Sequence, residues 1–199
     1  MAVRNVIVGL GNPEPQYENT RHNAGFHVLR ALAGNEPFVF DERLKAKIAI
    51  VAVDDREVAL ACPITGMNSS GEAVRALLDR YELTPASLLM VYDDVSMPMG
   101  RLRFQHHGGA GGHHGIESTF AELGGSREFD RLKVAVGRLE GLPDPGGAER
   151  AKFVLAPFGD DILPLYNKVL EAAAQAVKLW VCSGVNLAQC KVNPLVVSV

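Results

Sequence analysis

The sequence predicts a single α/β domain: a mixed central sheet with helices on its faces. Three observations carry this. Strand-length apolar runs alternate with helical stripes through most of the 199 residues. The first run, residues 5–10, is apolar at nearly every position, as in a strand covered on both faces. Residues 47–53 and 57–62 are separated only by Asp54-Asp55-Arg56, which makes them a β-hairpin and the sheet mixed.

The elements follow in order. The first strand halts at Gly9-Leu10-Gly11-Asn12-Pro13. Residues 23–33 read as a helix, with Phe26, Leu29, Leu32 and Ala33 on one face and Gly34 as the stop. After the hairpin, Ser69 and Glu72 form an S-x-x-E capping box. The helix it opens runs to about Tyr81, with Val74, Leu77 and Leu78 inward. Residues 87–92 are a buried strand ending at Asp93-Asp94, and residues 101–104 a short one. The glycine-rich loop 108–112 leads into a helix at about 115–123, closed by Gly124-Gly125. Residues 131–136 are a further strand, and residues 141–147, with Pro143 and Pro145, a loop. From about Asp160 to Cys182, Ile162, Leu165, Val169, Ala173, Ala176 and Trp180 make one helical stripe. Gly184 ends it and leaves residues 185–199 as an irregular tail of the one domain, 1–199.

Composition narrows the class. Hydrophobic residues make up 47% and charged residues 22%, the values of an ordinary soluble globular protein. No apolar run approaches the roughly 20 residues of a membrane span, and the N-terminus enters a strand with no signal-peptide pattern. A cytoplasmic protein with no membrane partner is expected. Cys62, Cys182 and Cys190 are odd in number and scattered, so they read as reduced thiols with no zinc-ligand cluster among them. The net charge of −3 argues against a generally basic nucleic-acid binder but leaves room for a local groove.

Polar residues collect just past the strands. Asn12 and His22 follow the first, Asn68 follows residues 57–62, and Asp93 follows residues 87–92. Sites in open α/β sheets form outside the carboxyl ends of strands. If these strands are parallel, the four residues share one edge, which the loop carrying His113 and His114 can also reach. Such a set suits hydrolysis by an activated water. Histidine can take a proton from water, an aspartate can hold its other ring nitrogen, and an asparagine amide can donate to a developing oxyanion. The G-x-S-x-G elbow is absent, so direct attack by water is favoured over an acyl-enzyme. Singly, each residue has a plainer reading: His22 as a structural hydrogen-bonder, Asp93 as turn chemistry, Asn68 as part of a cap, Tyr17 as core. Gly9-x-Gly11 lacks the third glycine of a dinucleotide fingerprint, since position 14 is Glu. The glycines at 108–112 can cradle a phosphate at the next helix, but without the Lys-Ser/Thr of a P-loop.

Taken jointly, the pattern resembles the bacterial-type peptidyl-tRNA hydrolase family. The matching blocks are Val8-Gly9-Leu10-Gly11-Asn12-Pro13, Tyr17, Thr20-Arg21-His22-Asn23-Ala24-Gly25, Met67-Asn68, and Asp93 followed by Pro98 and Gly100. Gly108-Gly109-Ala110-Gly111-Gly112-His113 and the block from Arg131 to Arg138 complete the match. The resemblance implies a monomeric cytosolic enzyme with a phosphorylase/hydrolase-like mixed sheet. It would cleave the ester between peptide and tRNA with no metal and no cofactor, recycling stalled peptidyl-tRNA. His22 then matches the general base, Asp93 its orienting acid, and Asn12 the residue sensing the acylated α-amino group. Tyr17, position 66 and Asn68 match substrate contacts, and His113 and His114 lie in the loop expected to meet the acceptor end of tRNA.

The chain departs from that pattern at four places. Glu14 follows Asn-Pro where glycine is usual, and Gly66 replaces an aromatic, removing a stacking surface. His114 stands for an asparagine, and Gln105 for a basic residue. A phosphate clamp then rests on Lys133 and Arg103, and the salt slope of tRNA binding should fall by about one unit. Between Arg101 and Arg138 six basic residues (101, 103, 127, 131, 133 and 138) face four acidic ones (117, 122, 128 and 130), so weak tRNA binding with ready turnover is expected. Two other functions fit the same residues: a hydrolase of another acyl ester or amide, and a non-catalytic tRNA-binding module.

Overall fold

The computed structural model describes residues 2–137 and 147–198. Arg138 and residues 141–146 of the loop read from the sequence lie outside them. The strands are β1 (Val3–Gly9), β2 (Val39–Asp41), β3 (Ala46–Val53), β4 (Arg56–Pro63), β5 (Leu88–Asp94), β6 (Leu102–Gln105) and β7 (Asp130–Ala135). The helices are α1 (Ala24–Ala33), α2 (Ser70–Tyr81), α3 (His114–Glu122), α4 (Gly147–Val154) and α5 (Leu163–Val192). One seven-stranded sheet runs in the order β2-β3-β4-β1-β5-β7-β6. Its centre, β4-β1-β5-β7, is parallel, while β2, β3 and β6 pair antiparallel. The mixed α/β sheet expected from the sequence is therefore present, hairpin included.

Alternating side chains divide the core between two layers. Ile7, Leu89 and Val91 pack with α1 and α5; Val6, Val8, Leu88 and Met90 pack with α2 and α3. Burial on both faces explains why β1 and β5 lack the apolar–polar alternation of half-exposed strands. The start of α1 lies directly on the carboxyl ends of β1 and β5. A Cβ on Gly25 would collide with the Leu10 amide and the Val91 carbonyl. Only glycine allows this crossing, and it sets the residues just before α1 over the end of β5.

Four sequence expectations need correction. Ser69 makes no capping bond through its side chain. A 3-10 turn, Met67–Ser69, runs straight into α2, and the free Gly71 amide is taken by Ser118 Oγ at 2.9 Å. Glu72 instead pairs with Lys45 at 2.6 Å. Second, Asp93 and Asp94 belong to β5, because β7 extends the ladder beside them through Asp93↔Val134 and Asp94↔Ala135. Third, the tail from 185 is not irregular. Gly184 takes φ 77° and ψ 174°, which kinks α5, and the helix then resumes to Val192 with Ala188 and Val192 buried. Beyond it, Asn193 bonds both Phe104 main-chain groups, at 2.7 and 3.1 Å, and Val197 N–H bonds the Gly100 carbonyl at 2.8 Å. The chain end thus covers the exposed edge of β6. Fourth, Gly147, read from the sequence as the end of a loop, opens α4, and neither α4 nor β2 is expected as an element from the sequence. No helix among the described residues is long and apolar enough to cross a membrane.

Candidate active site

A cleft of about 910 Å³ opens at the carboxyl edge of the parallel strands. Asn12, His22, Gly66, Asn68, Asp93, His113, His114 and Lys133 all line it. Tyr17 and Arg103 do not. Tyr17 ends a separate 3-10 turn, and its carbonyl accepts the Thr20 hydroxyl at 2.8 Å. Arg103 is exposed on β6, directly across the ladder from Lys133.

At the base of the cleft Asp93 Oδ1 meets two imidazoles, His22 Nδ1 at 2.8 Å and His113 Nε2 at 3.2 Å. Burial raises the Asp93 pKa, but the charge and hydrogen bonds of the two histidines more than reverse this, leaving it far below the usual carboxylate range. An ionised carboxylate only accepts, so both nitrogens facing it carry protons. That fixes the His22 tautomer: Nδ1–H donates to Asp93, and Nε2 keeps its lone pair. Burial pulls the His22 pKa down, yet the Asp93 charge and hydrogen bond outweigh it, so the net shift is upward. His113 is buried, and its Nδ1 has no partner among the described residues.

Asn12 is oriented as tightly. Its main-chain N–H donates to Asn23 Oδ1 at 2.8 Å, and Asn23 Nδ2 returns a bond to its carbonyl at 3.0 Å. The Met67 N–H donates to Asn12 Oδ1 at 3.2 Å. A backbone N–H must face an oxygen, so the Asn12 NH2 group is the end left for the cleft. Asn68, on the turn before α2, is exposed at the rim, and a Cβ at Gly66 would meet open space. His114 is the exposed first residue of α3. Lys133 is held by Asp94 Oδ2 at 2.8 Å, and Ser96 holds the other Asp94 oxygen. Burial raises the Asp94 pKa, and Lys133 and Ser96 more than offset that, so it too is lowered.

Some contributors carry little signal in the sequence. Asn23 is visible in the Thr-Arg-His-Asn block, but its role as a brace for Asn12 is not. Arg21 donates to the Ala156 and Pro157 carbonyls at 3.1 and 2.7 Å and lies over Phe153, 4.4 Å from the ring centre. It therefore fastens the segment after α4, whose Arg150, Ala151 and Val154 wall the cleft beside His22. Arg131 is fully buried and donates to the Gly109 and Gly108 carbonyls at 2.9 and 2.8 Å. It holds the glycine loop in place and adds nothing to a basic surface, so the count between Arg101 and Arg138 overstates the charge offered to tRNA. His22, Asp93 and His113 are also one of the described groups able to bring three ligand atoms together for a metal ion. In this arrangement, however, two N–H groups converge on Asp93 Oδ1, which is the geometry of a hydrogen-bonded triad.

Known proteins resemble this chain over most of its length. The family model "Peptidyl-tRNA hydrolase" matches residues 6–198. The peptidyl-tRNA hydrolase of Desulfitobacterium hafniense (strain Y51) is 42% identical over 179 residues, covering 90% of this chain and 94% of that protein. That of Synechococcus sp. (strain JA-3-3Ab) is 44% identical over 192 residues, covering 96% and 83%. The crystal structure of peptidyl-tRNA hydrolase from Acinetobacter baumannii superposes with a TM-score of 0.86 at 29% identity, covering 98% of each chain. A match over nearly the full length, in sequence and in fold, places this chain in the peptidyl-tRNA hydrolase family.

Proposed function

We infer that this chain hydrolyses the ester joining a peptide to the 3′ end of tRNA, with His22 as general base. The observation that carries the reading is the 2.8 Å bond from His22 Nδ1 to Asp93 at the base of the cleft. It leaves Nε2 as the only His22 nitrogen able to take a proton from water. The water oxygen attacks the ester carbonyl carbon as its proton passes to Nε2. The bond from that carbon to the ribose oxygen then breaks, and the imidazolium gives its proton to that oxygen, which leaves as the ribose hydroxyl. Asp93 steadies the imidazolium between these steps. A well-placed general base contributes about 10²–10⁴-fold.

The Asn12 NH2 group is the donor for a peptide carbonyl next to the scissile ester. In this reading Asn12 separates peptidyl-tRNA from aminoacyl-tRNA, whose free amine offers no carbonyl there. Asn68 and His114 meet the acyl or acceptor end from the rim. Lys133 and Arg103, neighbours on β7 and β6, meet the phosphate backbone, and Asp94 tempers the Lys133 charge. The enzyme acts as a cytoplasmic monomer that recycles tRNA from stalled or dropped-off translation products.

Cleavage of N-acetyl-aminoacyl-tRNA against unblocked aminoacyl-tRNA tests the reading. The blocked substrate should be cleaved far faster. Equal cleavage of both removes the selective role of Asn12 and points to a broader acyl esterase. Binding without cleavage of either overturns the assignment of His22.

A further inference from the structure

A second carboxylate–histidine pair lies away from the cleft, at the opposite end of β7. His106 Nδ1 meets Asp130 Oδ1 at 2.5 Å, and Asp130 Oδ2 accepts the buried Trp180 indole N–H at 2.6 Å. Asp130 is thus fixed from both sides. With Nδ1 of His106 committed to it, Nε2 is the nitrogen left on a ring 41% exposed. His107 follows in the chain, its ring centre 3.9 Å from that of His106. Glu128, two residues before Asp130, places Oε1 3.6 Å from His107 Nδ1. One donor atom from each of His106, His107 and Glu128 falls within 4.8 Å of the others.

We propose that His106, His107 and Glu128 form a surface site for a divalent transition cation of the zinc type, with Asp130 as the group that orients His106. Two imidazoles and a carboxylate suit zinc, nickel or copper, and not magnesium or calcium, which prefer all-oxygen sets. Around tetrahedral zinc at about 2.0–2.1 Å from each ligand, donors lie roughly 3.3 Å apart. The His107–Glu128 pair is already near that spacing, and both side chains are exposed and free to close the remainder. A histidine that gives its second nitrogen to a carboxylate is the usual outer-shell support of a metal ligand. Here the carboxylate is itself held by a buried indole, which a merely solvated histidine pair does not require.

The ion would join two chain segments. His106 and His107 begin the loop that carries glycines 108–112 to His113, and Glu128 precedes β7. Tying them together would stiffen the root of the loop without entering the cleft. The site needs no assumption about the substrate.

The test is a titration of the full chain with zinc chloride, followed through its six histidine rings by NMR. The His106 and His107 ring signals should move to saturation at one equivalent, and magnesium should not move them. His107→Ala and Glu128→Gln should each weaken that step by no less than the ~10-fold that loss of an outer-shell partner brings. Amide exchange in residues 108–112 should slow when zinc is bound. Signals of His106 and His107 that stay fixed at stoichiometric zinc overturn the proposal. So does a step of unchanged affinity in both variants, or one that moves only His22 and His113.

Discussion

His22 and His27 stand five residues apart, on either side of the start of α1, and are similarly enclosed, yet burial leads them in opposite directions. His22 faces a carboxylate, and its pKa lies above the ordinary value. His27 faces neutral groups: Nε2 meets the Glu18 carbonyl at 2.7 Å and Nδ1 meets the Tyr166 hydroxyl at 2.7 Å. Burial and the nearby Arg30 charge lower its pKa, and the Glu18 contacts only partly offset them. A carbonyl can only accept, so His27 Nε2 carries the proton and Nδ1 accepts from Tyr166. Both ring nitrogens of His27 are used up inside the protein. His22 keeps one for the cleft. The difference teaches that enclosure does not make a base; a charged partner on one nitrogen and an open space at the other do.

Exchanging each ring for a methyl group should separate the two most widely. His22→Ala should lose turnover by about 10³-fold or more, within the range general bases supply. His27→Ala should keep turnover close to that of the parent and lose stability by about 1–3 kcal/mol, because the Tyr166 hydroxyl is left without its acceptor. Single-turnover cleavage of N-acetyl-aminoacyl-tRNA and urea denaturation read the two quantities. Equal turnover losses in both variants would erase the distinction.

The next effect is smaller and lies in the pH profile. In the parent, kcat/KM should rise with pH as His22 loses its proton, with the acid limb above the ordinary histidine value of about 6.5. Asp93→Asn removes the charge that raises the His22 pKa and leaves the burial that lowers it. The limb should therefore move to lower pH while the plateau falls by about 10²-fold, as the imidazolium loses its stabilising charge. A limb that stays in place would deny Asp93 its electrostatic role.

Much of this was legible in the sequence, and the limits have physical causes. The parallel strands announced themselves as apolar runs, and their carboxyl ends collected Asn12, His22, Asn68 and Asp93. The Asp93 partnership with His113 was not legible. It depends on the glycine loop folding back over β5, which is decided by Arg131 gripping two carbonyls 22 and 23 residues away. No periodicity encodes a contact of that kind. The capping box at Ser69 misled for a similar reason: Ser118, 47 residues distant from Gly71, supplies the acceptor that a local side chain usually provides. Helix α4 was missed because its eight residues follow a Gly-Pro segment and present no long apolar stripe. The kink at Gly184 ends the helical pattern in the sequence, but the packing of Ala188 and Val192 restores the helix beyond it.

Tyr166→Phe sharpens the comparison at its quiet end. The substitution keeps the ring, which stacks on Phe158 with centres 3.9 Å apart, and removes only the hydroxyl that donates to His27 Nδ1. A net loss of one hydrogen bond of this kind is worth about 1 kcal/mol. The Nδ1 acceptor is left unpaired, but the imidazole can stay in place because Nε2 still bonds Glu18. The urea midpoint should therefore fall slightly with an unchanged slope, while kcat, KM and the acid limb of the pH profile hold. A limb that shifts in Tyr166→Phe would mean that the His27 network reaches His22 through the first turn of α1, and that the two histidines titrate as one system.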